Sequence, residues 1–283
     1  MTIAVTGATG HLGRLAIDAL RKRGIPAGQI VAIVRDAGKA ADLSEAGVQV
    51  RVADYSDSQA LTAALSGVGN LLLISGSEVG QRVAQHANII NAANAAGVTF
   101  VAYTSILAAQ TSPLALAEEH KTTEDLLGES GLQYALLRNG WYWENYESAV
   151  ETARTTGALF GAAGRGRVAA ASRKDYAEAA AEVLTSDKDQ AGKVYELGGD
   201  EHLTYGELAE VLSGIVGVPV AYKDLPEDEY AKVLEDAGIP SPFAAVLADS
   251  DAGIAVGALD TDSGDLQRLI GRASTPAAEV LGG

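Results

Sequence analysis

A doubly wound α/β fold with a smaller C-terminal α/β lobe follows from three features of the sequence. The chain opens on an apolar run, Ile3-Ala4-Val5, that runs into glycines spaced three apart, Gly7, Gly10 and Gly13, with a helical pattern at once behind them. Short apolar runs then alternate with helical stretches as far as Arg138. Most of these runs are continuous rather than alternating, which suits strands of a parallel sheet covered on both faces. Together they describe a sheet of Rossmann type.

The elements follow in order. After Ile3–Val5 the residues Leu12, Leu15, Ala16, Ala19 and Leu20 share one helix face. Further strands are expected at Ile30–Val34, Val48–Val52, Leu71–Ile74, Phe100–Tyr103 and Tyr134–Leu137, with helices at Lys39–Ala46, Ser58–Ser66, Gly80–Ala96 and Ala117–Ser130. Beyond Arg138 the pattern changes to aromatics and then glycines. Asp175–Leu184 reads as a helix and Val194–Leu197 as a strand, while Thr204-Tyr205-Gly206-Glu207 has the form of a capping box ahead of an apolar-periodic run. The expected division is a dinucleotide-binding domain over 1–140, with 171–200 returning to it, and a substrate-binding lobe of 141–170 and 202–283.

Composition narrows the function. A net charge of −16 argues against nucleic acid or an anionic membrane surface as partner, since both call for a basic footprint. With no cysteine, a disulfide scaffold, a thiol nucleophile and a cysteine metal site are excluded. The four histidines, at 11, 86, 120 and 202, show no metal-ligand spacing, so no metal is expected. No secretory signal or membrane span is visible, and a cytoplasmic location is the simplest expectation.

The opening turn is a pyrophosphate site in form. Gly7 permits the tight turn, Gly10 lets a diphosphate approach, and Gly13 lets the helix pack on its strand. The adenosine ribose is met at the end of the second strand, about 20 residues on. That strand ends Val34-Arg35-Asp36. A guanidinium suits a 2′-phosphate, so Arg35 favours NADP, while Asp36 could take a ribose hydroxyl if Arg35 points elsewhere. At the next strand ends, Asp54 could accept from the adenine amino group or serve as a helix cap, as could Ser56 or Asp57. Ser75, Gly76 and Ser77 are small, as an approach to ribose and nicotinamide requires.

Together, the Thr6–Gly13 turn, Arg35, Asp54-Tyr55, the segment Leu73 to Arg82, Tyr103-Thr104-Ser105 and Leu137-Arg138-Asn139-Gly140-Trp141-Tyr142 give the chain a family resemblance. It resembles the NmrA-like, atypical branch of the short-chain dehydrogenase/reductase superfamily, and within it the bacterial NAD(P)H:quinone oxidoreductases. The resemblance implies NADPH as cofactor and a quinone as hydride acceptor. It carries phosphate contact onto Thr6, Gly7, Ala8, Thr9, Gly10, His11 and Leu12, and 2′-phosphate contact onto Arg35. Further cofactor contact falls on Ser75, Gly76, Ser77, Asn139, Gly140, Trp141 and Tyr142.

One departure bears on the chemistry. Short-chain dehydrogenases usually pair a tyrosine with a lysine four residues on, yet Ala117 stands four before Lys121. Losing that acid/base costs alcohol–ketone interconversion about 10²–10⁴-fold. Hydride transfer to a quinone needs it less, because the product anion is spread over an aromatic ring, and positioning supplies much of the acceleration. His120 falls where many relatives place their lysine, and is the candidate for orienting the nicotinamide ribose or delivering a proton. Ser105 is the other small polar candidate near the acceptor. Both tryptophans lie within Trp141-Tyr142-Trp143, followed by Tyr146. Flat faces suit a flat acceptor, so one of these aromatics is expected at the acceptor, with Trp141 and Tyr142 the candidates, and the others in packing. Two alternatives stay open: an NADP-sensing regulator without turnover, and a reductase of planar dyes or other xenobiotics.

Overall fold

A computed structural model describes residues 1–283 apart from Ser77 and Val79. In chain order the strands are β1 (Ile3–Val5), β2 (Ile30–Val34), β3 (Gln49–Val52), β4 (Asn70–Leu73), β5 (Phe100–Ile106), β6 (Gln133–Asn139), β7 (Ala158–Gly161), β8 (Arg167–Val168), β9 (Val194–Leu197), β10 (Leu203–Thr204) and β11 (Ala221–Asp224). The helices are α1 (His11–Lys22), α2 (Ala41–Glu45), α3 (Ser58–Ala64), α4 (Arg82–Ala96), α5 (Ala117–Glu129), α6 (Glu147–Thr156), α7 (Arg173–Thr185), α8 (Tyr205–Val216), α9 (Glu227–Asp236), α10 (Ser241–Ala255), α11 (Asp265–Ile270) and α12 (Ala277–Gly282). Two compact units result. The first comprises Met1–Ala109, Glu119–Asn139 and Arg173–Tyr195, and the second Gln110–Glu118, Gly140–Ser172 and Glu196–Gly283.

The main sheet has the order β3-β2-β1-β4-β5-β6-β9, and the pairings from β3 through to β6 are parallel. The order reverses between β1 and β4, the switch point where open sheets of this kind bind ligands at their carboxyl ends. The continuous apolar runs are explained by burial on both faces. On one face Ala4, Val31, Leu71, Leu73, Val101 and Tyr103 pack with Leu61 of α3, Ile89, Ile90 and Ala93 of α4, and Leu127 of α5. Each such aliphatic side chain stabilises the fold by about 1.5–3 kcal/mol relative to exposure. α1 and α7 lie against each other in the same unit.

Four elements differ from the sequence expectation for reasons the structure shows. The helix expected over 39–46 is divided, because the Asp36 carboxylate accepts from Gly38 N–H at 2.8 Å and starts a 3₁₀ turn at Ala37–Ala40 ahead of α2. α4 begins at Arg82 rather than Gly80, whose φ of +85° is incompatible with a helix. β5 and β6 run past their apolar cores to Ile106 and Asn139, since the polar residues Thr104, Ser105 and Arg138 find buried partners there. Those extensions carry polar groups onto the carboxyl edge of the sheet.

In the second unit β7 pairs parallel with β11, and β8 antiparallel with β10. Trp143, Tyr146, Tyr205, Leu208, Leu212, Ile254 and Leu259 are buried in it. The capping box forms: Thr204 Oγ1 accepts from Glu207 N–H at 3.2 Å, and the Glu207 carboxylate accepts from Thr204 N–H at 2.8 Å. α8 ends at Gly217 in the left-handed region. Among the described residues no helix is long and apolar enough to cross a membrane.

Thr204→Ala removes one of the two reciprocal caps of α8. It should lower stability by about 1 kcal/mol, seen as a lower Tm in thermal unfolding. An unchanged Tm would show that the cap is not needed to start α8.

Candidate functional site

The glycine turn has the geometry of a phosphate cradle. Gly7 sits at φ +58°, and its carbonyl accepts from Gly10 N–H at 2.9 Å. A Cβ on Gly13 would lie 2.3 Å from the Gly7 carbonyl oxygen and 2.8 Å from Ala8 Cα. Only glycine lets α1 start so close to the turn. Gly10 caps α1 without a side chain, and the first turn holds no acidic residue. The first-turn amides at His11 and Leu12 and the positive end of the helix therefore meet no built-in anion. This fits a pyrophosphate. Ala8 is buried and packs, while Thr9 is half-buried and its carbonyl accepts from Arg14 Nε at 3.4 Å.

Thr6 and Tyr55 brace this turn from below. The Thr6 hydroxyl accepts from Ile74 N–H at 2.9 Å and also contacts the Leu72 carbonyl, joining the end of β1 to β4. The Tyr55 hydroxyl accepts from Gly7 N–H at 2.7 Å, and burial raises its pKa, so the phenol stays protonated. In the sequence Tyr55 stands beside Asp54 with nothing to mark this role. The signal was an aromatic at the end of the third strand, and its partner is a backbone amide, which leaves no mark on sequence.

At the end of β2 the two charges separate. Asp36 is spent on Gly38, so Arg35 alone projects. Its side chain is 62% exposed and pairs with Glu78 at 2.5 Å. The other Glu78 oxygen accepts from Gln85 Nε2 at 2.7 Å, and the Gln85 and Arg35 contacts lower the Glu78 pKa. Asp54 Oδ1 accepts from Ser56 N–H at 2.8 Å and from its hydroxyl at 2.5 Å, while Asp57 caps α3.

Ser75 and Gly76 lie past β4, and Ser77 falls outside the described residues. Ser75 N–H donates to Thr104 Oγ1 at 2.9 Å. Gly76 is held on both sides: its N–H donates to His86 Nε2 at 3.0 Å, and its carbonyl accepts from Arg82 Nε at 2.7 Å. Arg82, its side chain 6% exposed, pairs with Glu119 at 2.9 Å, and the second Glu119 oxygen accepts from Gly80 N–H at 2.9 Å. Because Nε2 of His86 accepts, its proton sits on Nδ1 and is donated to Thr123 Oγ1 at 3.0 Å. Burial first, and then the Arg82 charge, push the His86 pKa down to about 3. In the sequence Arg82 only closes the segment Leu73 to Arg82, His86 is one of four scattered histidines, and nothing marks Glu119.

His120 lies in the same buried cluster, its Nδ1 2.8 Å from the Tyr103 hydroxyl. Burial, Arg82 and His86 hold its pKa well below the ordinary histidine range, so the imidazole is neutral. Ser105 is committed elsewhere: its hydroxyl donates to Glu124 Oε1 at 2.6 Å, and Arg138 grips the same carboxylate at 2.9 and 2.7 Å. Asn139 is buried at the end of β6. In the second unit, Gly140 N–H donates to the Leu197 carbonyl, Trp141 and Trp143 are buried, and Tyr142 is half-buried.

Known proteins resemble this chain over nearly its whole length. The NmrA-like family profile matches residues 1–254. The chain is 53% identical to Quinone oxidoreductase 2 of Escherichia coli (strain K12), over 99% of this chain and 97% of that protein. The crystal structure of an NADPH-dependent quinone oxidoreductase from E. coli, complexed with NADPH, superposes with a TM-score of 0.96 at 53% identity, over 99% of this chain and 98% of that one. Citrobacter sp. triphenylmethane reductase complexed with NADP(H) gives a TM-score of 0.94 at 39% identity over 99% of each chain.

A buried neutral His86 makes stability depend on pH with a definite sign. Its pKa is about 6.5 unfolded and about 3 folded, so its contribution is complete above pH 6.5 and is lost as pH falls toward 3. In that window the slope is about 1.4 kcal/mol per pH unit. His86→Gln should therefore show a shallower fall of Tm between pH 7.5 and 5 than the parent chain. Equal slopes would mean that His86 is not neutral in the fold.

Proposed function

Because the chain belongs to the NmrA-like family, we propose that it is an NADPH-dependent reductase that transfers two electrons, as a hydride, directly to quinones. The near full-length match to the E. coli quinone oxidoreductase carries this reading, and the chain's own residues support it. When bound, NADPH supplies the hydride. The first-turn amides of α1 hold the pyrophosphate, with Thr6 and Tyr55 fixing the turn that presents them. Arg35 takes the 2′-phosphate, since Asp36 is turned onto Gly38 and does not compete for the ribose. Arg82 and His86 fix the Gly76 peptide where the nicotinamide end is to lie.

A quinone that accepts a hydride becomes a hydroquinone anion with its charge spread over the ring. The chain then needs alignment more than a strong acid at the moment of transfer. A neutral His120 fits this, being suited to hydrogen-bond a ribose hydroxyl rather than to act as a charged acid. Trp141 and Tyr142 supply aromatic faces for the acceptor. The likeness to the Citrobacter triphenylmethane reductase extends the expected acceptors to planar dyes.

Parallel assays of NADPH oxidation with 1,4-benzoquinone, menadione and a triphenylmethane dye test the reading. Turnover with quinones supports it; tight NADPH binding without turnover on any acceptor would assign the chain to a sensing role instead. Arg35→Ala should weaken NADPH binding by about ten- to a hundredfold and NADH binding far less, measured by titration calorimetry. Equal losses would sink the 2′-phosphate role. Trp141→Ala and Tyr142→Ala should each raise the quinone KM by about three- to tenfold with NADPH affinity nearly intact. Unchanged quinone kinetics in both would remove these aromatics from the acceptor site.

A further inference from the structure

We propose that Asp251 is a positioning residue for Trp141, acting through the hydroxyls of Tyr205 and Tyr146; this rests on the reading of Trp141 as an acceptor contact. The four residues form a hydrogen-bonded chain inside the second unit, and its direction is fixed. The Tyr205 hydroxyl donates to Asp251 Oδ1 at 2.5 Å. A phenol has one proton, so at the 3.1 Å contact between the two hydroxyls Tyr205 accepts and Tyr146 donates. Trp141 is hydrogen-bonded to Tyr146, and an indole can only donate. Every donor therefore points toward the carboxylate, whose Oδ2 is taken by Ala162 N–H at 2.9 Å.

The chain is buried along its whole length and has no slack. A Cβ on Gly161 would stand 2.5 Å from the Tyr205 ring and 2.7 Å from Asp251 Oδ2. The groups facing Asp251 are Tyr205 of α8, Tyr146 before α6, Tyr222 and Asp224 of β11, and Tyr230 of α9; among the described residues none of them is a cation. A buried carboxylate without a cation is costly, and apolar packing would serve stability better. What the carboxylate does supply is a charged terminal acceptor that orients two phenols and, through them, one indole. Burial, opposed by Tyr205 and Ala162 and reinforced by Asp224, raises the Asp251 pKa to about 7. Protonation near neutrality would remove that acceptor and loosen the hold on Trp141.

The two tryptophans make this measurable. Trp143 Nε1 is buried without a partner, so its indole N–H is an internal reference for that of Trp141. In ¹⁵N-indole NMR, with Trp143→Phe used for assignment, the Trp141 resonance should titrate with a midpoint near pH 7. It should stop titrating in Asp251→Asn and in Tyr205→Phe, the latter removing only a hydroxyl. Both variants should raise the quinone KM about two- to tenfold, with kcat and NADPH affinity nearly unchanged. A Trp141 resonance that ignores pH and both substitutions overturns the chain. If Trp141→Ala raises the quinone KM while Tyr205→Phe and Asp251→Asn do not, the positioning role falls and the acceptor reading stands. If Trp141→Ala leaves the KM unchanged, the acceptor reading falls, and the positioning role with it.

Discussion

A guanidinium buried in the first unit has to be neutralised where it lies, and the backbone that follows β4 is organised around that requirement. Arg82 answers to Glu119, and each partner has a second obligation: Arg82 to the Gly76 carbonyl, Glu119 to the Gly80 amide. Removing one member of such a pair would strand the other charge in a poorly solvated place. The positive charge also helps keep His86 and His120 neutral. A neutral His86 is what allows Nε2 to accept the Gly76 amide. Burial, reinforced by the Arg82 charge, thus keeps His86 neutral, the neutral ring takes the tautomer its partners select, and that tautomer fixes a peptide.

The parts of this arrangement legible in the sequence are those whose partners are local. Gly13 answers to a carbonyl six residues earlier, and Thr204 to Glu207 three residues on, so spacing alone reveals them. The neighbouring charges Arg35 and Asp36 were visible as alternatives, and a turn one residue later decided between them. Arg82 and Glu119 meet only because α4 and α5 flank the same strands, and nothing in either neighbourhood announces the other. His86 and Tyr55 bind backbone amides, partners that every residue but proline carries and that no motif can flag.

The polar ends of β5 and β6 show a further limit of apolar pattern. Hydrophobicity stops at Tyr103 and Leu137, but the strands continue because Glu124 receives both Ser105 and Arg138. The same contact engages the Ser105 hydroxyl proton with Glu124. At this edge the groups that might have served as acid or base are already engaged with one another. That is consistent with a proposed reaction whose product anion needs little help from the protein.

On the proposed role of Arg35, its contact with Glu78 has a consequence for how the cofactor is told apart from its unphosphorylated analogue. A phosphate arriving at Arg35 displaces a carboxylate rather than meeting a bare cation. The selectivity is then the difference between two pairs sharing one guanidinium. Both are exposed to the same mobile ions, so added salt weakens both, the phosphate's pair more because it carries the larger charge. The ratio between the two nucleotides would then fall less steeply with ionic strength than it would for an unpaired cation, which partly buffers the choice of electron donor against swings in the salt content of its surroundings.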